Sequence, residues 1–277
     1  MFTMGMTLTF SDFKRVAVYP KAVGIGLINQ ILLLPLIGFG ITKIIPLESS
    51  FAIGIMIIAV SPGGAVSNLI SHLSKGDTAL SISLTAVSSL LTILSIPILL
   101  NWSLAYFVGD SDVQIKLPFA KTVVNIFKLT VLPVSLGMLL NYKFPNFTKR
   151  SNTAIAWISG FVIVFALILI YIKLDELGDV WSFVRTVFFS VLLLNIATLG
   201  IGYLSSLLAG LSRKQAITIS IETGMQNNVL GMAVATSPAL LNSPLMAVPA
   251  GVYGLLMCTT AIALIFIFRK ILTVDED

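Results

Sequence analysis

Charge is what this chain has least of. Asp, Glu, Lys and Arg make up only 10% of its 277 residues, against roughly 25% in an ordinary soluble domain. Hydrophobic residues make up 57%, and mean hydropathy is +1.01. So little charge cannot clothe a water-exposed surface, so the composition points to an integral membrane protein. The single cysteine, Cys258, excludes an intrachain disulfide and any cysteine-based metal cluster. The single histidine, His72, excludes a multi-histidine zinc site. The chain offers no Gly-rich phosphate loop behind a strand and no evident nucleophile–base pair, which argues against a membrane-embedded enzyme. The sequence pI near 9.4 comes from basic residues scattered through short loops, a pattern that suits a membrane topology bias and not a nucleic-acid surface. Met1 to Leu8 is mildly apolar but too short to span a bilayer. It does not read as a signal peptide, because no basic stretch precedes it and no small-residue cleavage site follows.

What the chain does have is apolar length. Eight segments reach membrane-spanning size, at 21–45, 51–73, 78–107, 121–142, 153–172, 184–209, 213–236 and 244–268. Runs of this length predict helices and not the short alternating strands of a barrel. The loops are short, so one all-α membrane bundle is expected. Lys14, Arg15, Lys21, Lys75, Lys143, Lys149, Arg150, Arg213, Lys214, Arg269 and Lys270 fall on one side of this topology. Lys43, Lys116, Lys121, Lys128, Lys173 and Arg185 fall on the other. The richer side is predicted to be cytoplasmic, with both termini inside. Lys128 and Arg185 are expected near span edges, snorkelling to the interface. The tail Asp275-Glu276-Asp277 is read as a solvated end.

Two of the apolar segments carry breaks. The second contains Ser61-Pro62-Gly63-Gly64, where proline removes a backbone donor and the glycines loosen the helix. The seventh contains Glu222-Thr223-Gly224. Polar side chains follow each break: Ser67 and Asn68 in one case, Gln226, Asn227 and Asn228 in the other. Glu222 is the only acid inside any long apolar segment. A carboxylate at membrane depth costs on the order of 2.5–3.5 kcal/mol, so it marks an ion site, a proton relay or a water-filled cavity. Interrupted spans at corresponding places in two halves point to a transporter binding site. Each break lies in the middle of a three-span group, 21–107 and 184–268, and alternating directions would give these groups opposite topology.

These residues carry a resemblance. Met4-Gly-Met-Thr-Leu8 with Ser11-Asp-Phe13, Asn29-Gln30 with Pro35, Ser61-Pro-Gly-Gly-Ala-Val-Ser-Asn68 and Glu222-Thr-Gly-Met-Gln-Asn227 resemble the bile acid:sodium symporter family, in its bacterial and plastid forms. The resemblance covers essentially the whole chain. It implies an inverted-repeat transporter of ten helices, divided into a core domain with two broken, crossing helices and a panel domain. On that pattern 21–107 and 184–268 are the core repeats and 121–172 are panel helices. Residues 1–19 are the remnant of a truncated panel helix, the first family helix and most of the second being missing.

The resemblance also implies sites. One sodium ion would be held by Ser67, Asn68, Ser81, Thr85 and Glu222. A second would be held by Gln30, Glu222 and Gln226 with the backbone carbonyls of Thr223 and Met225. Hydroxyl, amide, carboxylate and carbonyl oxygens suit a hard cation. Ser81 and Thr85 are four apart and share a helix face. The substrate would contact Asn227, and the half-helix start at Gly64 and Ala65 would seat an anionic headgroup. Met257 and Cys258 stand where bile-acid-transporting relatives carry a His-Asn pair, which makes a smaller carboxylate as fitting as a bile acid. The implied function is sodium-coupled import of an organic anion by alternating access, with no organic cofactor and no nucleic-acid partner. The implied location is a bacterial inner or plasma membrane. The residues alone leave open proton coupling through Glu222, and a truncated member that does not transport.

Overall fold

The computed structural model describes residues 1–109 and 117–273, and these form only helices and their connections. Lys116 and the tail Asp275–Asp277 lie outside the described residues, as does the Lys149 side chain. Two short helices open the chain, α1 (Phe2–Gly5) and α2 (Phe10–Lys14). Thr9 donates its N–H and its hydroxyl to Asp12 Oδ2, each at 2.7 Å, which satisfies a buried acid at the start of α2. The long helix α3 (Pro20–Ile44) starts on a proline whose missing N–H is no loss there. Then come α4 (Ser49–Ala59), α5 (Ala65–Leu73), α6 (Thr78–Val108) and α7 (Phe119–Lys143). The second half comprises α8 (Pro145–Asp175), α9 (Val180–Leu208), α10 (Arg213–Gly224), α11 (Asn228–Thr236) and α12 (Pro244–Thr273).

Five of these helices, α3, α6, α7, α9 and α12, are long and apolar enough to cross a membrane. The expected spans 51–73 and 213–236 are each two half-helices. α4 ends at Ala59 and α5 begins at Ala65, so Pro62-Gly63-Gly64 lies in non-helical backbone. α10 ends at Gly224 and α11 begins at Asn228. The half-helices pair crosswise: α5 lies against α10, and α4 against α11. The backbone joins the two breaks directly, Asn227 N–H donating to Ser61 O at 2.9 Å.

Small residues set the closest approaches. A methyl group at Gly202 of α9 would lie 2.8 Å from Ser220 Cα, and one at Gly54 of α4 would lie 2.6 Å from Met246 O. Without apolar solvation to gain in lipid, helices associate through such close van der Waals contact. α6 packs against both α4 and α5, so it spans the first break. α1 packs on the second half of α7.

α7 carries a feature the sequence reading lacked. It breaks at Thr130 because Pro133 has no N–H for residue 129 and its ring clashes with that carbonyl. Lys128 lies in the last turn before this kink. At one end of the bundle, Phe39, Trp102, Tyr106 and Phe107 cluster, and Lys43 Nζ donates to Tyr106 OH at 2.7 Å. Such an aromatic collar suits a membrane–water interface. At the opposite end Arg269 Nε donates to Leu73 O at 2.7 Å, tying α12 to α5.

Candidate functional site

Glu222 stands in the last turn of α10 and is fully buried, at 0% exposure. Its Oε1 accepts from Ser81 Oγ, and its Oε2 accepts from Thr85 Oγ1 at 2.8 Å. Ser81 and Thr85 reach it together because they lie one turn apart on α6. The same two hydroxyls lie 2.8 and 3.2 Å from Asn68 Oδ1, on α5. Each hydroxyl has one proton. The two protons of Ser81 and Thr85 therefore face three acceptors, Glu222 Oε1, Glu222 Oε2 and Asn68 Oδ1, and Ser67 and Gln30 also reach the carboxylate. The cluster holds more lone pairs than donors, the arrangement a cation relieves.

A second convergence lies at Gly63. A methyl group there would lie 3.1 Å from Met225 O, 3.1 Å from Ser67 Oγ and 3.2 Å from Glu222 Oε2. Three oxygens from three segments thus surround a position that only glycine leaves open. Ser67 Oγ itself donates to Gly64 O at 2.7 Å.

Gln30 comes to the carboxylate's helix from α3. It lies in a π-helical turn, Asn29–Leu33, which widens α3 where it faces α10. Its Nε2 donates to Glu222 O at 2.9 Å, while its Oε1 is buried with no partner among the described residues. Gln226 does the same from the break: Nε2 donates to Thr223 O, and Oε1 is buried and unpartnered. Buried acceptors without donors are costly, about 1–3 kcal/mol each. Two unpaired amide oxygens, on side chains that bond the carbonyls of Glu222 and Thr223, are ligands of the kind that fits an alkali cation.

The residues expected at the substrate position line a cavity of about 360 Å³ at the crossing. Gly64 and Ala65 form one wall, Gln226, Asn227 and Asn228 another, and Met1 to Met4 with Ile158 close it. Helix α5 starts there without a side-chain cap, so its first N–H groups can serve an anion. Asn227 is partly committed: its Oδ1 caps α11 by accepting from Leu230 N at 3.1 Å. Met257 is buried and Cys258 exposed, and neither lines the cavity. His72 is exposed at the end of α5, its Nδ1 3.4 Å from Thr78 Oγ1.

Residues 1–177 match the sodium bile acid symporter family. The chain belongs to that family. Its relatives are named as transporters. A rice protein named as a probable chloroplastic sodium/metabolite cotransporter, BASS2, is 31% identical over 274 residues, 98% of this chain and 62% of its own length. YocS of Bacillus subtilis, named as an uncharacterized sodium-dependent transporter, is 31% identical over 258 residues, 92% of this chain and 75% of its own length. The rat hepatic sodium/bile acid cotransporter is 30% identical over 275 residues, 97% of this chain and 74% of its own length. The chain spans about three fifths of the length of the rice and Arabidopsis relatives.

Two residues of this family member escaped the sequence reading. Asn195 of α9 and Tyr253 of α12 are both fully buried, and both bond the carbonyl of Gly224. Polarity was their signal, since Asn195 follows a run of three leucines, but nothing in the sequence said which backbone group it would meet.

Proposed function

We propose that this chain is a sodium-coupled symporter that carries an organic anion across the membrane by alternating access. The observation behind this reading is the surplus of acceptor oxygens around the buried Glu222. Ser67, Asn68, Ser81, Thr85 and Glu222 would hold one sodium ion. Gln30, Glu222 and Gln226, with the carbonyls of Thr223 and Met225, would hold a second.

Coupling follows from shared walls. Ser67, Met225 and Gln226 belong both to the ion ligand set and to the lining of the cavity. An ion that fixes these groups fixes one wall of the anion seat, so each ligand raises the affinity for the other. The seat would use Gly64, Ala65 and Asn227, with the uncapped start of α5 meeting the anionic group. The occupant is an amphipathic organic anion, either a bile-acid-like molecule or a smaller carboxylate. In this reading 21–107 and 184–268 rock as one body against 121–172 and 1–19, with the Lys- and Arg-rich end cytoplasmic.

The test is uptake of taurocholate and of pantoate into proteoliposomes under an inward sodium gradient, with matched potassium and with a pH gradient alone. Uptake driven by sodium and lost in Glu222→Gln supports the reading. Uptake that follows the pH gradient without sodium, or that survives Glu222→Gln at the parent rate, contradicts it.

A further inference from the structure

A helix that ends inside a bundle leaves its last carbonyls without intrahelical donors. At the end of α10 each of these has a traceable partner. Ile221 O accepts from Met225 N at 2.8 Å, Glu222 O from Gln30, and Thr223 O from Gln226. Gly224 O is served twice from outside, by Tyr253 OH at 2.7 Å and by Asn195 Nδ2 at 2.9 Å. Asn195 Nδ2 also donates to Tyr253 OH at 3.2 Å. The three groups form a closed triangle: the single phenol proton goes to Gly224 O, and the two amide protons go to the carbonyl and to the phenol oxygen.

This triangle is lopsided. Asn195 Oδ1 is buried and has no partner among the described residues, so the amide is used on its donor side only. Ordinary interhelical glue would satisfy both halves of an amide. Here an unmet acceptor is retained beside two bonds that converge on one backbone carbonyl. That carbonyl is one residue before Met225, whose own carbonyl faces Gly63 beside Glu222 Oε2. Leu199 packs against Gly224 where a Cβ would stand, so α9 and α12 hold the end of α10 from behind.

We infer that Tyr253 and Asn195 are positioning residues for the second sodium site, acting through the Gly224 carbonyl. This rests on the sodium reading above. Anchoring the Gly224 carbonyl, with Met225 N–H held by Ile221 O, fixes that peptide plane, from which Met225 O and Gln226 take the spacing that suits sodium. Without the anchor these oxygens turn away or close in, so sodium binds more weakly and smaller lithium is excluded less well.

The experiment is thermal unfolding of the detergent-purified chain, titrated with sodium chloride and separately with lithium chloride at constant ionic strength in potassium. Tyr253→Phe removes only the hydroxyl, and Asn195→Ala is measured beside it. Loss of one hydrogen bond should raise the half-maximal sodium concentration about fivefold and narrow the preference for sodium over lithium. A purely structural role would lower melting in potassium and leave both of those quantities in place. A rise below about threefold in both variants, as set against the hydrogen-bond scale, overturns the inference. Glu222→Gln separates the two readings. If it keeps the sodium response, the sodium reading fails and this inference with it. If it loses the response while Tyr253→Phe titrates like the parent, only this inference fails.

Discussion

A single methyl group at Gly63 should abolish the response to sodium while leaving the bundle folded. Its carbon would lie 3.1 Å from Met225 O and Ser67 Oγ and 3.2 Å from Glu222 Oε2. Ordinary contact for a Cβ is 3.4–4 Å, so the three groups must retreat by a few tenths of an ångström. Overpacking of that kind costs about 1–3 kcal/mol. The backbone at Gly63 does not need the left-handed region, so alanine adds no conformational strain there. The methyl stands among the oxygens that an ion would draw together, and it excludes the ion by volume. At a hundred times its dissociation constant, sodium should stabilise the parent by about 2.7 kcal/mol. For Gly63→Ala the expected increment is none. The assay is thermal unfolding in sodium against matched potassium, with folding checked by size-exclusion profile and helical circular dichroism. A folded Gly63→Ala protein with the parent's full sodium increment would refute the placement of an ion between the two breaks.

Other perturbations separate binding from packing. Ser81→Ala removes one of the oxygens proposed to hold the first ion, a contact to a charged group worth about 1.5–3 kcal/mol, so the half-maximal sodium concentration should rise about tenfold or more; titration by thermal shift checks it. Gly54→Ala drives a methyl against Met246 O and Pro249, forcing α4 from α12, and should lower melting equally in sodium and potassium. Asp77 Oδ1 accepts from Leu80 N at 3.0 Å at the start of α6. Asp77→Ala should therefore cost about 1 kcal/mol of stability, seen as lower melting with unchanged sodium dependence.

The breaks were legible because their cause is local. Pro62 cannot donate, and Gly63 and Gly64 beside it loosen the helix further. Glu222 was legible because one acid in so much apolar sequence has few bland explanations. The pairing of Ser81 with Thr85 on one face followed from helical spacing. What stayed hidden depends on tertiary partners. The π-helical turn at Asn29–Leu33 has no composition that announces it, and Gln30 came only through family resemblance. The kink that Pro133 puts in α7 lies inside a continuous apolar run that conceals it. Asn195 and Tyr253 lie 29 residues from Gly224 on either side, and only the fold brings them to one carbonyl. Asn227 was expected to face substrate; it does line the cavity, but its oxygen is occupied as a helix cap.

The most direct measurement is thermal stability of the purified chain in sodium against matched potassium, with Glu222→Ala as the control. Sodium should raise the melting temperature above that in potassium, and the rise should vanish in Glu222→Ala. A well-folded chain that melts at the same temperature in both salts, or a rise that survives in Glu222→Ala, would contradict it.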